Sequence, residues 1–206
     1  MSSFINRYTS LPILLDMLDN QQMTLLSPAT WEDRNDAYYL ERYQTNQKLK
    51  TVLAACFSNK RETFHHWKVF ASRSSGVCIE FDRDPFLEEI VGDPLYRSQD
   101  VEYRTIKQLR KSPPPIDEWP FLKRHAFRDE GEFRIVYENK HAAKSTKSFD
   151  FSISAINRIT LSPWMPSPVA ESVKKVIKGM NHCSEVVVHH STLVDNDTWK
   201  AMVHTQ

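Results

Sequence analysis

Glu130 and Glu132 are separated by one residue in the run Arg128-Asp129-Glu130-Gly131-Glu132-Phe133-Arg134-Ile135. In an extended chain that spacing turns both carboxylates to one face, about 7 Å apart. Two like charges held that close are costly unless they do chemistry or are neutralised, and Arg128 and Arg134 stand near enough in sequence to pair with them. A carboxylate so placed can hold a sugar hydroxyl, stabilise an oxocarbenium-like centre or take a proton from a nucleophile. The competing reading is a solvated edge strand whose charges form surface salt bridges.

Three other groupings carry polar chemistry. His65 and His66 are adjacent in Glu62-Thr63-Phe64-His65-His66-Trp67. On a helix they point about 100° apart, so they do not share a metal ion as an i, i+4 pair does. One of them can instead face a pocket and hydrogen-bond a phosphate or hydroxyl, while Trp67 reads as core. Arg7 and Tyr8 lie in Asn6-Arg7-Tyr8-Thr9-Ser10; the planar fork of Arg7 suits a phosphate or ribose, and Tyr8 can stack on a ring. A lone arginine in a strand is otherwise a surface residue. Asp33, Asn35 and Asp36 read best as a cap for the helix that follows them.

The elements that must position these residues follow from periodicity. Phe4–Ser10 reads as a strand, ending where Ser10 can cap a helix over 11–20 with Pro12 in its first turn and Leu11, Leu14, Leu15 and Leu18 at helical spacing. Met23–Leu26 is a short strand, and 37–44 is helix-like. The apolar run Thr51–Ser58 has the length and continuity of a central strand. A helix over 62–71 precedes a strong strand at Gly76–Asp82. Residues 85–90 read as a short helix and 101–104 as a short strand. Ser112-Pro113-Pro114-Pro115 is a stiff break. Residues 132–138 alternate apolar and polar, which is strand periodicity. Strands at 156–161 and 185–189 flank a helix over 168–180. The expected fold is α+β: one domain over 1–206, with a mixed or antiparallel split sheet and flanking helices.

Composition removes several classes of function. The chain has 206 residues, enough for one sizeable core, and its 40% apolar and 26% charged residues are ordinary for a globular domain. A formal charge of +1 argues against a polycationic coat for nucleic acid, leaving only local basic patches. Its four glycines are isolated, so there is neither a P-loop nor a G-x-G-x-x-G turn. The three cysteines, Cys56, Cys78 and Cys183, are odd in number and widely spaced, which fits reduced, buried, unligated thiols better than a disulfide framework or a zinc site. No apolar run approaches the roughly 20 residues of a membrane span, and the first residues do not build a secretory signal. A cytoplasmic protein with no membrane contact and no bound metal is the expectation.

Taken in order, these segments resemble the bacterial and archaeal family known as domain of unknown function 2971 (DUF2971). The resemblance runs through the opening strand with Arg7-Tyr8, the polar segment Trp31-Glu32-Asp33-Arg34-Asn35-Asp36, Cys56-Phe57-Ser58, Trp67, the strand Gly76–Phe81, and Glu130, Glu132, Arg134 and Ile135. It covers roughly 4–140; residues 141–206, with Ser162-Pro163-Trp164-Met165-Pro166, are similar to a longer subgroup. The order of strand, helix and strand, then an apolar strand ending in serine, then two glutamates before a strand, is also similar to the ADP-ribosyltransferases. Enzymes of that fold bind NAD without a glycine-rich loop.

That second resemblance implies NAD as substrate. Glu132 would be the catalytic carboxylate, and Glu130 would orient the acceptor nucleophile. Arg7 or Tyr8 would hold the NAD phosphate or ribose, and Ser58 would support the nicotinamide side, although Ser58-Asn59-Lys60 replaces the expected Ser-Thr-Ser. His65 or His66 would bind the acceptor or a diphosphate, and Arg7, Ser58 and Glu132 would converge on one cleft. Bacterial enzymes of this kind act as toxins or phage-defence effectors on protein, DNA or RNA. Lys123, Arg124, His125 and Arg128, interleaved with Trp119, Phe121 and Phe127, would suit a nucleic-acid acceptor, against the alternative of a solvated helix end. Two other classes stay open: a metal-dependent nuclease or hydrolase using Asp33, Asp36, Glu130 and Glu132, and a non-enzymatic immunity or antitoxin-type binding module.

Overall fold

The computed structural model describes residues 4–205. In chain order its regular elements are β1 (Phe4–Ser10), α1 (Leu11–Asn20), β2 (Gln22–Leu26), α2 (Arg34–Asn46), β3 (Thr51–Ser58), α3 (Phe64–Phe70), β4 (Gly76–Asp82), α4 (Arg83–Leu87), β5 (Tyr96–Asp100) and β6 (Glu102–Arg104). There follow α5 (Ile106–Lys111), β7 (Leu122–Arg124), β8 (Glu132–Asn139), β9 (Thr146–Asp150), β10 (Ile156–Leu161), α6 (Ser167–Gly179), β11 (Val188–His190) and α7 (Asp197–Ala201), with short 3-10 turns between several of them. This is an α+β fold with mixed strand directions.

The chain divides into two units. The first, described over 4–21, 60–86 and 152–205, has strands in the order β11-β10-β4-β1. The β10–β11 pair is parallel and the others are antiparallel. Helix α1 buries Leu14, Met17 and Leu18 and lies against β1 and β4. Ser10 occupies its N-cap position, but its side chain makes no capping bond. On α3, Trp67 is fully buried and packs with Tyr8 and Cys78.

The second unit, Gln22–Asn59 with Leu87–Phe151, has strands in the order β9-β2-β3-β8-β5, all antiparallel, and a separate parallel pair β6–β7. Helix α2 seats Leu40 and Tyr43 against Val52 and Ala54 of β3 and Val136 of β8, and Phe121 joins the same cluster.

Several expectations shift for identifiable reasons. Helix α2 begins at Arg34, ahead of the expected 37, because Asp33 Oδ1 accepts from the backbone N–H groups of Asn35 and Asp36 and opens the helix early. Helix α3 is shorter than 62–71, since the Thr63 hydroxyl caps it at His66 N. The strand at the C-terminal end shrinks to Val188–His190. Strands β5 and β9 and helix α5 were not legible. Tyr-Arg-Ser-Gln-Asp and Thr-Lys-Ser-Phe-Asp pair through backbone bonds to β8 and β2 with little apolar pattern of their own. The alternation over 132–138 also misleads: residues 132–137 are all buried, polar ones included, because β8 is central, flanked by β3 and β5. Among the cysteines, Cys78 and Cys183 are buried and Cys56 is only partly so; all three are free thiols.

Replacing Leu40 with Ala should lower stability by about 2–5 kcal/mol, the usual cost of emptying a buried leucine site. Tyr38→Ala, on the exposed side of the same helix, should change it by no more than about 0.5 kcal/mol. Equal losses in urea denaturation would mean that α2 does not seat on the sheet as described.

Candidate active site

The two glutamates sit at a junction that the local backbone makes rigid. A 3-10 turn over His125–Glu130 ends at Gly131, whose φ of 54° and ψ of 49° are left-handed, and Glu132 then opens β8. Only glycine adopts that conformation without strain. The Ser58 hydroxyl donates to the Glu130 carbonyl (2.6 Å), and Asn59 N donates to the Gly131 carbonyl (2.7 Å). Glu132 N donates to the Tyr103 hydroxyl (2.8 Å). Ser58 and Glu132 are register partners across β3 and β8, so the end of one strand braces the start of the other.

Both carboxylates are buried, Glu130 at 8% and Glu132 at 5% exposure, so the solvated-edge reading fails. Arg134, two residues along β8 and fully buried, donates from Nε to Glu132 Oε1 (2.7 Å). Its Nη1 and Nη2 grip Asp36 Oδ1 (3.0 Å) and Oδ2 (2.7 Å), and Nη1 also reaches the Pro120 carbonyl (2.7 Å). Lys123 Nζ donates to Glu130 Oε2 (2.6 Å) and Glu132 Oε2 (3.2 Å), and lies 3.7 Å from Asp36 Oδ2. Arg128, the other cation expected to pair with the glutamates, instead lies exposed beside Asp129.

Three carboxyls thus face two cations, and full ionisation leaves one excess negative charge. Its distribution is uneven. Burial alone would push Glu132 up, but Arg134 and Lys123 outweigh it and hold the carboxyl near about 2. Burial pushes Glu130 above the ordinary carboxylate range against the pull of Lys123. Asp36 is also raised: Arg134 grips both of its oxygens, yet burial and the nearby Glu132 charge prevail. Burial would lower Lys123, but the carboxylates around it raise it, so it stays an ammonium. The arrangement therefore pairs a carboxylate held well below the ordinary range, able to face positive charge, with a neighbour pushed above it that can exchange a proton.

The other residues singled out from sequence are distributed over both units. Arg7 and Tyr8 stand on β1 of the first unit, where the buried Tyr8 ring stacks on His66 (5.4 Å between centroids) and meets Trp67 edge-on (5.3 Å). His66 is buried, with Nδ1 at 2.5 Å from the Thr63 hydroxyl, while His65 is exposed and its ring lies at 81° to that of His66. The Glu62 carboxylate accepts from Trp67 Nε1 (2.7 Å) and from the Ser191 hydroxyl. Arg124 is exposed in the second unit, whereas Lys123 points into the carboxylate cluster. Sequence reasoning read Asp36 as a cap or, in the nuclease alternative, a metal ligand rather than as a counterion, and gave Tyr103 no role. The capping falls to Asp33, and Asp36 becomes the counterion of Arg134.

Among the described residues, no group of three or more His, Cys, Asp or Glu side chains is arranged to hold a metal ion, and Asp36, Glu130 and Glu132 already have cationic partners. No helix is long and apolar enough to cross a membrane.

Two measurements test this network. Removing one partner of a buried pair costs about 3–5 kcal/mol, so Asp36→Asn and Arg134→Gln should each destabilise strongly and their double variant by much less than the sum; additive losses would dissolve the pair. The pH dependence has a definite sign. Because the folded pKa of Glu132 is depressed, its contribution is complete above about pH 5 and is lost as pH falls toward 2. The gap in Tm between the wild type and Glu132→Gln should hold steady above pH 5 and close below it, whereas a gap that closes between pH 8 and 6 would contradict this.

No protein-family model matches the chain, and no curated protein matches it in sequence. Solved structures similar to it include Thermus sp. 2.9 DarT in complex with carba-NAD+, 12% identical, with a TM-score of 0.46 over 92% of this chain and 96% of that one. The complex of the same protein with ADP-ribosylated ssDNA is 10% identical, with a TM-score of 0.48 over 92% and 94% of the two chains. Its complex with NAD+ is 11% identical, with a TM-score of 0.47 over 92% and 96%. The ligands are those of that protein.

Proposed function

We propose that this chain is an ADP-ribosyltransferase-like enzyme that takes NAD as its substrate and transfers ADP-ribose to a macromolecule. The observation that carries the reading is the pair of buried carboxylates at the start of β8, Glu132 held by Arg134 and Lys123 with Glu130 beside it on the same Lys123. Bound NAD would supply the electrophile: loss of nicotinamide breaks the glycosidic bond and leaves positive charge on the ribose. The Glu132 carboxylate has about four acceptor sites, of which Arg134, Lys123 and the Cys56 thiol use three, so it can accept a ribose hydroxyl and stabilise that charge. Glu130 would orient the acceptor and take its proton as the new bond to the ribose forms.

In the first unit the same proposal gives Arg7, Tyr8, His65 and His66 contacts to NAD or the acceptor. Ser58 holds the Glu130 carbonyl with its hydroxyl, so its part would be to brace the carboxylates as well as to support the nicotinamide side. A toxin or phage-defence role in the cytoplasm, with an antitoxin or immunity partner, belongs to this reading. The metal-dependent nuclease is disfavoured because its carboxylates are bound by Lys123 and Arg134.

The test is incubation with labelled NAD and total cell protein, RNA and DNA. Glu132→Gln should reduce both nicotinamide release and label transfer by about 100-fold or more, assayed below its own melting temperature. Glu130→Gln should abolish transfer while sparing slow hydrolysis of NAD, and should remove an acid limb lying above the ordinary carboxylate range. Unchanged NAD-dependent activity in Glu132→Gln would end the proposal.

A further inference from the structure

A pocket of about 210 Å³ opens in the second unit between α2 and α5. Tyr39, Ile106, Leu109 and Leu122 line it together with Asp36 and Lys123. The last two belong to the carboxylate network, since Lys123 is the residue that bridges Glu130 and Glu132. The pocket therefore lies one side chain away from both glutamates. It is smaller than the roughly 300–1,000 Å³ that drug-sized ligands occupy, and suits a single flat ring system.

The pocket's surroundings say what carries that ring. Helix α5 is only six residues long but is held by a capping box: the Thr105 hydroxyl accepts from Gln108 N (3.2 Å), and Gln108 Oε1 accepts from Thr105 N (2.8 Å). Ile106 and Leu109, three apart, share the face that lines the pocket, and Ile106 remains 53% exposed at its mouth. Lys107, Arg110 and Lys111 share an adjacent face by the same spacing. These three and Arg124, which also lines the pocket, are exposed and make no ion pair among the described residues. A protein of net charge +1 thus brings four exposed cations, Arg124 in the lining and Lys107, Arg110 and Lys111 on α5, to a slot with apolar and aromatic walls whose lining also includes Asp33 and Asn35. Aromatic or apolar walls for a base, with cations for the flanking phosphates, are the elements by which single-stranded nucleic acid is held.

We propose that this pocket takes one unpaired base of a single-stranded nucleic acid, with Lys107, Arg110, Lys111 and Arg124 on the phosphates to either side. The binding stands on the pocket itself; that the bound strand is the acceptor rests on the transferase reading above. The seated base would lie beside Lys123, within one side chain of the residue proposed to orient the nucleophile.

The experiment is fluorescence anisotropy of the full chain, without NAD, against labelled single-stranded DNA and RNA oligonucleotides, the matching duplexes, and a series in which one position at a time is abasic. Single strands should bind more tightly than duplexes. Loss of the seated base should weaken binding by about tenfold or more, as loss of a stacked base does. Leu109→Trp, which fills the slot, should erase the difference between intact and abasic strands, with folding checked by circular dichroism. The exposed triple variant K107Q/R110Q/K111Q should bind all strands more weakly and flatten the plot of log affinity against log salt by about 2. Equal affinity for single strand, duplex and abasic strand, or no binding at low salt, would overturn the site. Because NAD is absent, the two readings fail separately. Strands that bind while no label reaches protein, RNA or DNA leave the pocket standing and remove the transferase. Label that reaches only protein, with no strand binding, does the reverse.

Discussion

Arg134 is the interaction on which the second unit depends. Its guanidinium has no contact with water, and an uncompensated buried charge of that kind is not tolerated. Its partners arrive from three directions: Asp36 from α2, the Pro120 carbonyl from a 3-10 segment, and Glu132 from its own strand, with the Trp31 ring 4.8 Å from the guanidinium carbon. The planar fork of arginine makes these bonds at once and in fixed directions, which a lysine ammonium does not. Satisfying one cation therefore sets the seat of α2, the path of the chain before β7 and the orientation of Glu132.

The same arrangement divides labour between two chemically identical side chains. Glu132 lies between Arg134 and Lys123 and is held well below the ordinary carboxylate range, whereas at Glu130 burial outweighs the pull of Lys123 and pushes the carboxyl up. Neither property belongs to glutamate as such. Both follow from three carboxyls sharing two cations inside a low-dielectric interior, where the cations outweigh burial at Glu132 and burial outweighs them at Glu130 and Asp36.

In the first unit rigidity comes from rings. Tyr8 is clamped between His66 and Trp67, and Trp67 is anchored by Glu62, which also binds Ser191 near the end of β11. Burial pushes the Tyr8 hydroxyl well above its ordinary value, so it stays a neutral phenol within this cluster. The divergence of His65 and His66 follows from the 100° step of a helix: one side chain packs inward and the other stays in water.

Much of the architecture was legible because it depends on local pattern. Phe4–Ser10, Thr51–Ser58, Gly76–Asp82 and Leu11–Asn20 carry apolar runs or helical spacing strong enough to place them within a residue. Strands β5 and β9 were not, because polar segments paired only by backbone bonds leave no period to read. The glutamates could be picked out from their spacing, and Arg134 as a partner from its proximity. Asp36 stood 98 residues from Arg134 and looked like a helix cap, and Lys123 looked like a surface cation. What the chain by itself determined was which segments become strands and helices and where acidic side chains crowd together. Only the tertiary structure decided which of those charges are buried and with which partners, because desolvation and ion pairing depend on distances between residues that the covalent order does not bring together.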